Sequence, residues 1–364
     1  MPASAAIAVA ALTSFVLAAP PAAQPPPSAG LSAGQLAGQR IVLSYPGPTP
    51  PAGLVRRVRR GGAAGVILFA RNVRSTPQVR RSVAVLQRAA RQSPIGEPLL
   101  VMVDQEGGAV LRLAGGPARG ASQVGALGRR RGVPAARADG RAAARALRRV
   151  GANVNLAPVA DLCRPGAAIA REGRCYARRA EAVADFASAF ADGVCIGGVK
   201  PALKHFPGFG AAAVNTDDAP ATIRTPLAQL RATDEAPFRA LRRRAPLVML
   251  SSALYPALDP RRPAPFSKRI ATRELRGRAG FRGASVTDDL ETPAVQRFGG
   301  PGERALLGAR AGTDLMLFAR TTAAGARAAD ALRASLRRHG LSRRAFRASV
   351  DRVLRLRARL GSRC

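Results

Sequence analysis

The chain has 364 residues, 47% of them apolar, 4% aromatic and none Trp, which suffices for one large Ala/Val/Leu-packed core or two modest ones. Its formal charge of +36 suggests a nucleic-acid binder, but 55 of the 58 basic residues are Arg, scattered among alanines without interleaved aromatics. That pattern is what a GC-rich coding bias produces, so specific nucleic-acid recognition is not expected, and two histidines with no CxxC pair argue against a zinc site.

Residues 1–34 read as a signal-like segment and a tether. The apolar run from Ala5 to Ala19 resembles the core of a secretory signal and precedes a Pro-rich stretch, Pro20 to Pro27. The usual basic n-region is missing. The run is too short for a membrane span, and no later stretch is long and apolar enough. These features predict a secreted or cell-envelope protein. Its basic surface would meet anionic wall polymers or phospholipid through contacts that weaken with salt.

Residues 35–361 read as one domain. Short β-branched or Leu-rich runs at 41–44, 66–69, 99–104, 153–161, 199–205, 247–252, 284–288 and 314–318 are the expected strands. Helical stretches lie between most of them, at 77–91, 135–150, 180–194, 227–243 and 302–311, and a last helix at 343–360 closes the chain. Eight strands alternating with helices predict a single-domain α/β fold, a (β/α)8 TIM-type barrel. No GxGxxG follows the first strand, which removes the main support for a dinucleotide fold.

Polar residues support the barrel independently. Asp104, Asp161, Lys204, His205 and Asp288 each end an expected strand, on the face where this architecture carries its active site. A lone Asp there is usually a turn former or helix cap, but acids, a cation and an imidazole converging from several strands point to a site. Cys163 and Cys175 flank one loop. A disulfide closing it and two unpaired thiols are both open readings.

Four motifs carry the chemistry. Asp104-Gln105-Glu106-Gly107-Gly108 continues to Arg112, its glycines allowing close backbone approach and Asp104 accepting hydrogen bonds from adjacent hydroxyls. Arg171 to Tyr176 follows the fourth strand. Lys204-His205-Phe206-Pro207-Gly208 ends the fifth, and Thr287-Asp288-Asp289-Leu290 ends the seventh. Together, in this order, they resemble the glycoside hydrolase family 3 catalytic barrel, especially its single-domain β-N-acetylhexosaminidases. The resemblance spans roughly Leu36 to Gly361.

The resemblance implies a retaining glycosidase acting on β-linked sugars, with N-acetylglucosaminides of cell-wall or chitin-derived glycans as substrates and no metal or organic cofactor. It assigns the nucleophile to Asp288 and sugar binding to Asp104, Arg112, Arg174, Lys204 and His205. Asp289, one position on along the strand, faces elsewhere and reads as structural. Lys204 and His205 also have a purely internal reading, as partners of Asp104 or Asp161.

One departure stands out. The hexosaminidase branch carries its proton donor as an Asp-x-His dyad on a loop, its histidine twelve residues after the motif histidine. Here Asn215 and Asp217 occupy those positions, and the motif's second histidine is Phe209. Asp217 as substitute acid/base, a donor from elsewhere, and a carbohydrate-binding relative without catalysis remain open. A β-glucosidase-like activity is a further alternative, since an acetamido pocket is not readable from sequence.

Overall fold

The computed structural model describes residues 26–362 and 364, together with Met1 and Ala5. Residues 2–4 and 6–25, which hold nearly all of the signal-like segment and the start of the expected tether, lie outside the described residues. Residues 28–34 of the stretch read as tether pack on the domain: Ser28 is buried and its N–H donates to Asp351, and Ser32 caps the helix Ala33–Gly38.

Eight parallel strands close into a barrel in sequence order: β1 (Ile41–Leu43), β2 (Gly65–Leu68), β3 (Leu100–Val103), β4 (Val154–Asn155), β5 (Lys200–Phe206), β6 (Leu247–Leu250), β7 (Ala284–Asp289) and β8 (Leu315–Phe318). β8 pairs back to β1, with Val42 beside Leu317. All eight expected strands are present. Their runs are apolar on both faces because one face fills the barrel and the other meets the helices.

Inside the barrel, Val42, Ile67, Met102, Val154, Ala202, Met249, Val286 and Leu317 share one core cluster with Val353 and Leu356 of the last helix, Arg343–Ala358. That helix therefore plugs the floor, at the N-terminal ends of the strands, and leaves the opposite rim open. The surrounding helices turn small and branched residues inward. In Thr76–Arg91 these are Val79, Val83, Leu86 and Ala90, spaced for one face.

Three expectations are corrected. The fourth strand was read as 153–161, but its ladder covers only Val154–Asn155, because Pro158 has no N–H to donate; pairing resumes as a bridge between Val159 and Lys204. The helix read at 227–243 is broken into Leu227–Gln229, a π-helical turn at Leu230–Asp234 and Ala236–Ala240, with Pro237 forcing the restart. The helix read at 135–150 begins at Gly128 and continues through Pro134. A short hairpin, Gln105–Gly107 with Val110–Leu111, was not foreseen.

Candidate active site

The open rim of the barrel holds a cavity of about 490 Å3, lined among others by all seven residues singled out from sequence: Asp104, Arg112, Arg174, Lys204, His205, Asp217 and Asp288. They come from five loops or strand ends, and the barrel alone brings them together.

Lys204 enters from β5 and is almost wholly buried. Its Nζ lies 2.6 Å from Asp104 Oδ1 and 2.6 Å from Glu106 Oε1. Arg174 holds the same Glu106 in a fork, with Nε and a terminal nitrogen each 2.9 Å from a carboxylate oxygen. Burial works against the charges of Glu106, Arg174 and Lys204, yet their partners sustain them. Burial raises the Glu106 pKa, but Lys204 and Arg174 outweigh it and hold the carboxyl well below the usual range. Burial likewise lowers Lys204, and Asp104 and Glu106 raise it beyond its ordinary value. The result is a fixed charged wall with defined donors and acceptors.

His205 is braced from behind. Its Nδ1 lies 2.7 Å from Asp161 Oδ2, while the other oxygen of the fully buried Asp161 accepts the backbone N–H groups of His205 and Phe209. This orients the imidazole and leaves Nε2 for the pocket. Phe209 packs edge-on to the ring, with centroids 5.6 Å apart. Gly208 is required at its turn: its φ is +130°, and an added Cβ would stand 2.6 Å from Asp234 Cβ.

The Asp104–Gly108 motif folds into the hairpin. Gln105 Oε1 accepts the N–H groups of Arg112 and Leu113, which sets Arg112 on the pocket wall. The Arg112 Nε is buried without a hydrogen-bond partner among the described residues.

Asp288, the penultimate residue of β7, is half-buried, and its Oδ1 accepts the neighbouring Asp289 N–H. Asp289 Oδ1 receives the N–H groups of Glu291 and Ala319, tying β7 to the loop after β8. Burial raises its pKa to about 7 against those bonds.

Asp217 lies on the loop after β5. The residue as a whole is exposed at the rim. The surroundings of its carboxyl nonetheless push its pKa up to about 6, by partial burial first and then by the negative charge of Asp288. Asn215 shapes this loop: its Oδ1 accepts the Asp217 N–H at 3.0 Å and its Nδ2 donates to Glu172 Oε1 at 2.9 Å. Glu172 also takes a bond from Arg174. A disulfide, Cys163–Cys175, closes the loop that carries Glu172 and Arg174. A second disulfide, Cys195–Cys364, lies outside the site and was not foreseen.

Sequence reading missed Glu106, Glu172 and Asn215 as members of this network. For Glu106 a signal existed: it stands two residues after Asp104 in an extended segment and so shares its side. Among the described residues no cluster of His, Cys, Asp and Glu is arranged to hold a metal ion, and no helix is long and apolar enough to cross a membrane.

The chain has relatives along most of its length. The model of the glycosyl hydrolase family 3 N-terminal domain matches residues 43–356. An uncharacterized secreted glycosyl hydrolase of Arthroderma benhamiae is 38% identical over 356 residues, covering 96% of this chain and 99% of that protein. A beta-hexosaminidase of Xanthomonas oryzae pv. oryzae is 34% identical over 266 residues, 71% of this chain and 77% of the relative. Among solved structures, a family 3 beta-N-acetylglucosaminidase from a Paenibacillus species superposes with a TM-score of 0.85 at 32% identity, over 91% of this chain and 63% of that longer protein. A beta-N-acetylhexosaminidase from Beutenbergia cavernae gives 0.79 at 32% identity, over 91% and 98%. The family read from four short motifs is thus the family matched along nearly the full length, and the chain belongs to glycosyl hydrolase family 3, as a glycosidase with a carbohydrate substrate.

Proposed function

We propose that the protein hydrolyses β-linked N-acetylglucosaminides with net retention, using Asp288 as nucleophile and Asp217 as acid/base. The observation that carries this reading is how the carboxyl groups of the pocket divide. Asp104, Glu106 and Glu172 are each tied to Lys204 or Arg174 and Asp289 pairs with Arg320, whereas Asp217, Asp218 and Asp288 have no cation partner among the described residues. Of these, Asp217 is the one whose carboxyl is pushed up beside Asp288. A fixed anion binds hydroxyls. A carboxyl without a cation is free to exchange bonds or protons.

The chemistry follows from those roles. Asp288 attacks the anomeric carbon while the glycosidic bond breaks, its electrons staying with the leaving oxygen, and protonated Asp217 donates the proton that oxygen needs. Asp217 then accepts a proton from water as the water oxygen attacks the anomeric carbon and Asp288 departs. A pKa near 6 suits both steps. Asp104, Arg112, Arg174, Lys204 and His205 hold the sugar hydroxyls and fix its orientation. The N-acetylglucosamine preference is supported by the activity that the Paenibacillus protein carries in its name, and the Xanthomonas relative, named a beta-hexosaminidase, supports the wider hexosaminide class.

A non-catalytic glycan binder is the second reading, favoured by the missing dyad histidine. Turnover of an aryl β-N-acetylglucosaminide and its β-glucoside counterpart separates these readings. Loss of turnover in Asp217→Ala but not in Asp218→Ala, whose carboxyl also lines the pocket, supports the acid/base role. Turnover indifferent to Asp217→Ala refutes it. Two disulfides suit an oxidising compartment. With the apolar N-terminal run and the secreted Arthroderma relative, they support export to the envelope or medium.

A further inference from the structure

The floor of the barrel carries a second cavity, of about 570 Å3, at the N-terminal ends of β5, β6 and β7. No Asp or Glu side chain lines it. Its walls converge from separate parts of the chain: Lys200 opens β5, Arg242 and Arg243 precede β6, Arg282 precedes β7, and Arg355 and Arg359 stand one turn apart on the last helix. None of these five arginines has a carboxylate partner among the described residues. Arg244 and Arg352 also line the cavity, but they are turned to Asp192 and Asp314.

Among the described residues, the five arginines lack the carboxylate partners that cations of the catalytic pocket have. There, Lys204 and Arg174 each meet a carboxylate. On the floor, like charges gather, and Lys200, whose Nζ donates to the carbonyl oxygen and Oγ of Ser362, lies near enough to Arg359 to be affected. Burial lowers its pKa, and Arg359 lowers it further. An anion bound from outside would relieve that repulsion. Guanidinium forks match phosphate oxygens in pairs, and the volume is that of a small-molecule site.

We propose that this floor cavity binds a compact, multiply charged phosphate compound, such as an oligophosphate, independently of the glycosidase site. The charge is supplied by the exposed Arg243, Arg355 and Arg359. Titration calorimetry with tripolyphosphate tests this on the full chain at low salt. An Arg243→Ser/Arg355→Ser/Arg359→Ser variant is compared with Arg56→Ser/Arg59→Ser/Arg60→Ser. The control removes the same charge from exposed positions between β1 and β2, half the ring away. Thermal melts check that both variants fold. The floor variant is expected to bind tripolyphosphate about tenfold or more weakly, and the control within about twofold of the parent. A single-stranded oligonucleotide, too long to be enclosed, should weaken alike in both. Equal loss of tripolyphosphate in both variants, or loss in neither, overturns the proposal. So does an oligonucleotide that discriminates the floor variant more strongly than tripolyphosphate does.

Discussion

The side-chain amide of Asn215 donates to Glu172 Oε1 across 2.9 Å, joining two loops 43 residues apart. Its carbonyl oxygen meanwhile holds the Asp217 N–H. Asn215 therefore does more than fill the place of an aspartate. It fixes the loop that presents the proposed acid/base, and Glu172 fixes Asn215.

Loss of this brace should show as a loss of proton donation. Glu172→Ala and Asn215→Ala are expected to lower kcat/KM about tenfold on substrates with poor leaving groups, a part of a general acid's full contribution of roughly 10²–10⁴-fold. Dinitrophenyl glycosides, whose leaving group needs no proton, should be nearly unaffected. Asn215→Asp, which restores the dyad's aspartate, should be no better than Asn215→Ala, because it sets a second carboxylate against Glu172. A uniform loss across leaving groups would mean that the brace acts on binding.

The pH profile supplies a second check. With Asp217 raised to about 6 by burial and the Asp288 charge, the protonated donor is depleted as pH rises through that value. Turnover of a poor-leaving-group substrate should fall on the alkaline side of about pH 6, and Asp217→Ala should abolish that limb. An alkaline limb that survives in Asp217→Ala would assign it to another group.

The Cys163–Cys175 disulfide closes the loop that carries both Glu172 and Arg174. A Cys163→Ser/Cys175→Ser variant should loosen the clamp on Glu106 and the brace on Asn215 together. KM is expected to rise several-fold, about 1 kcal/mol of lost orientation. A Cys195→Ser/Cys364→Ser variant, changed away from the rim, should leave KM unchanged. Equal KM values in the two variants would show that the first disulfide serves stability only.

Much of this architecture was legible in the sequence because the barrel writes itself as eight apolar runs, several of them ending in a charged residue. Asp104, Lys204, His205 and Asp288 could be placed on the rim by that rule alone. The partnership of Glu172 with Asn215 could not, since nothing local in either segment announces a side-chain bond across loops. The Cys195–Cys364 disulfide, 169 residues apart, was hidden for the same reason. Pro158 and Pro237 show a different failure: each interrupted an element that hydropathy alone would continue.

Asp314 is the structural counterpart of the rim network. It is fully buried beneath β8, with ion pairs to Arg276 and Arg352, while buried Arg40 donates to its backbone carbonyl and to that of Thr313. Burial raises its pKa, but Arg276 and Arg352 reverse that and hold it below the usual range. Asp314→Ala would leave buried guanidinium charge uncompensated. It should destabilise the fold by about 3–5 kcal/mol in denaturant melts, and a loss below about 1 kcal/mol would contradict the buried-network reading.

The central claim is that Asp288 forms a bond to the sugar, and trapping tests it most directly. The parent protein, Asp217→Ala and Asp288→Ala are each incubated with an activated fluorinated N-acetylglucosaminide and analysed by intact mass and peptide mapping. The account predicts one added glycosyl mass on the parent and on Asp217→Ala, mapped to Asp288, and none on Asp288→Ala. A label on any other residue, or turnover by Asp288→Ala at the parent's rate, would contradict it.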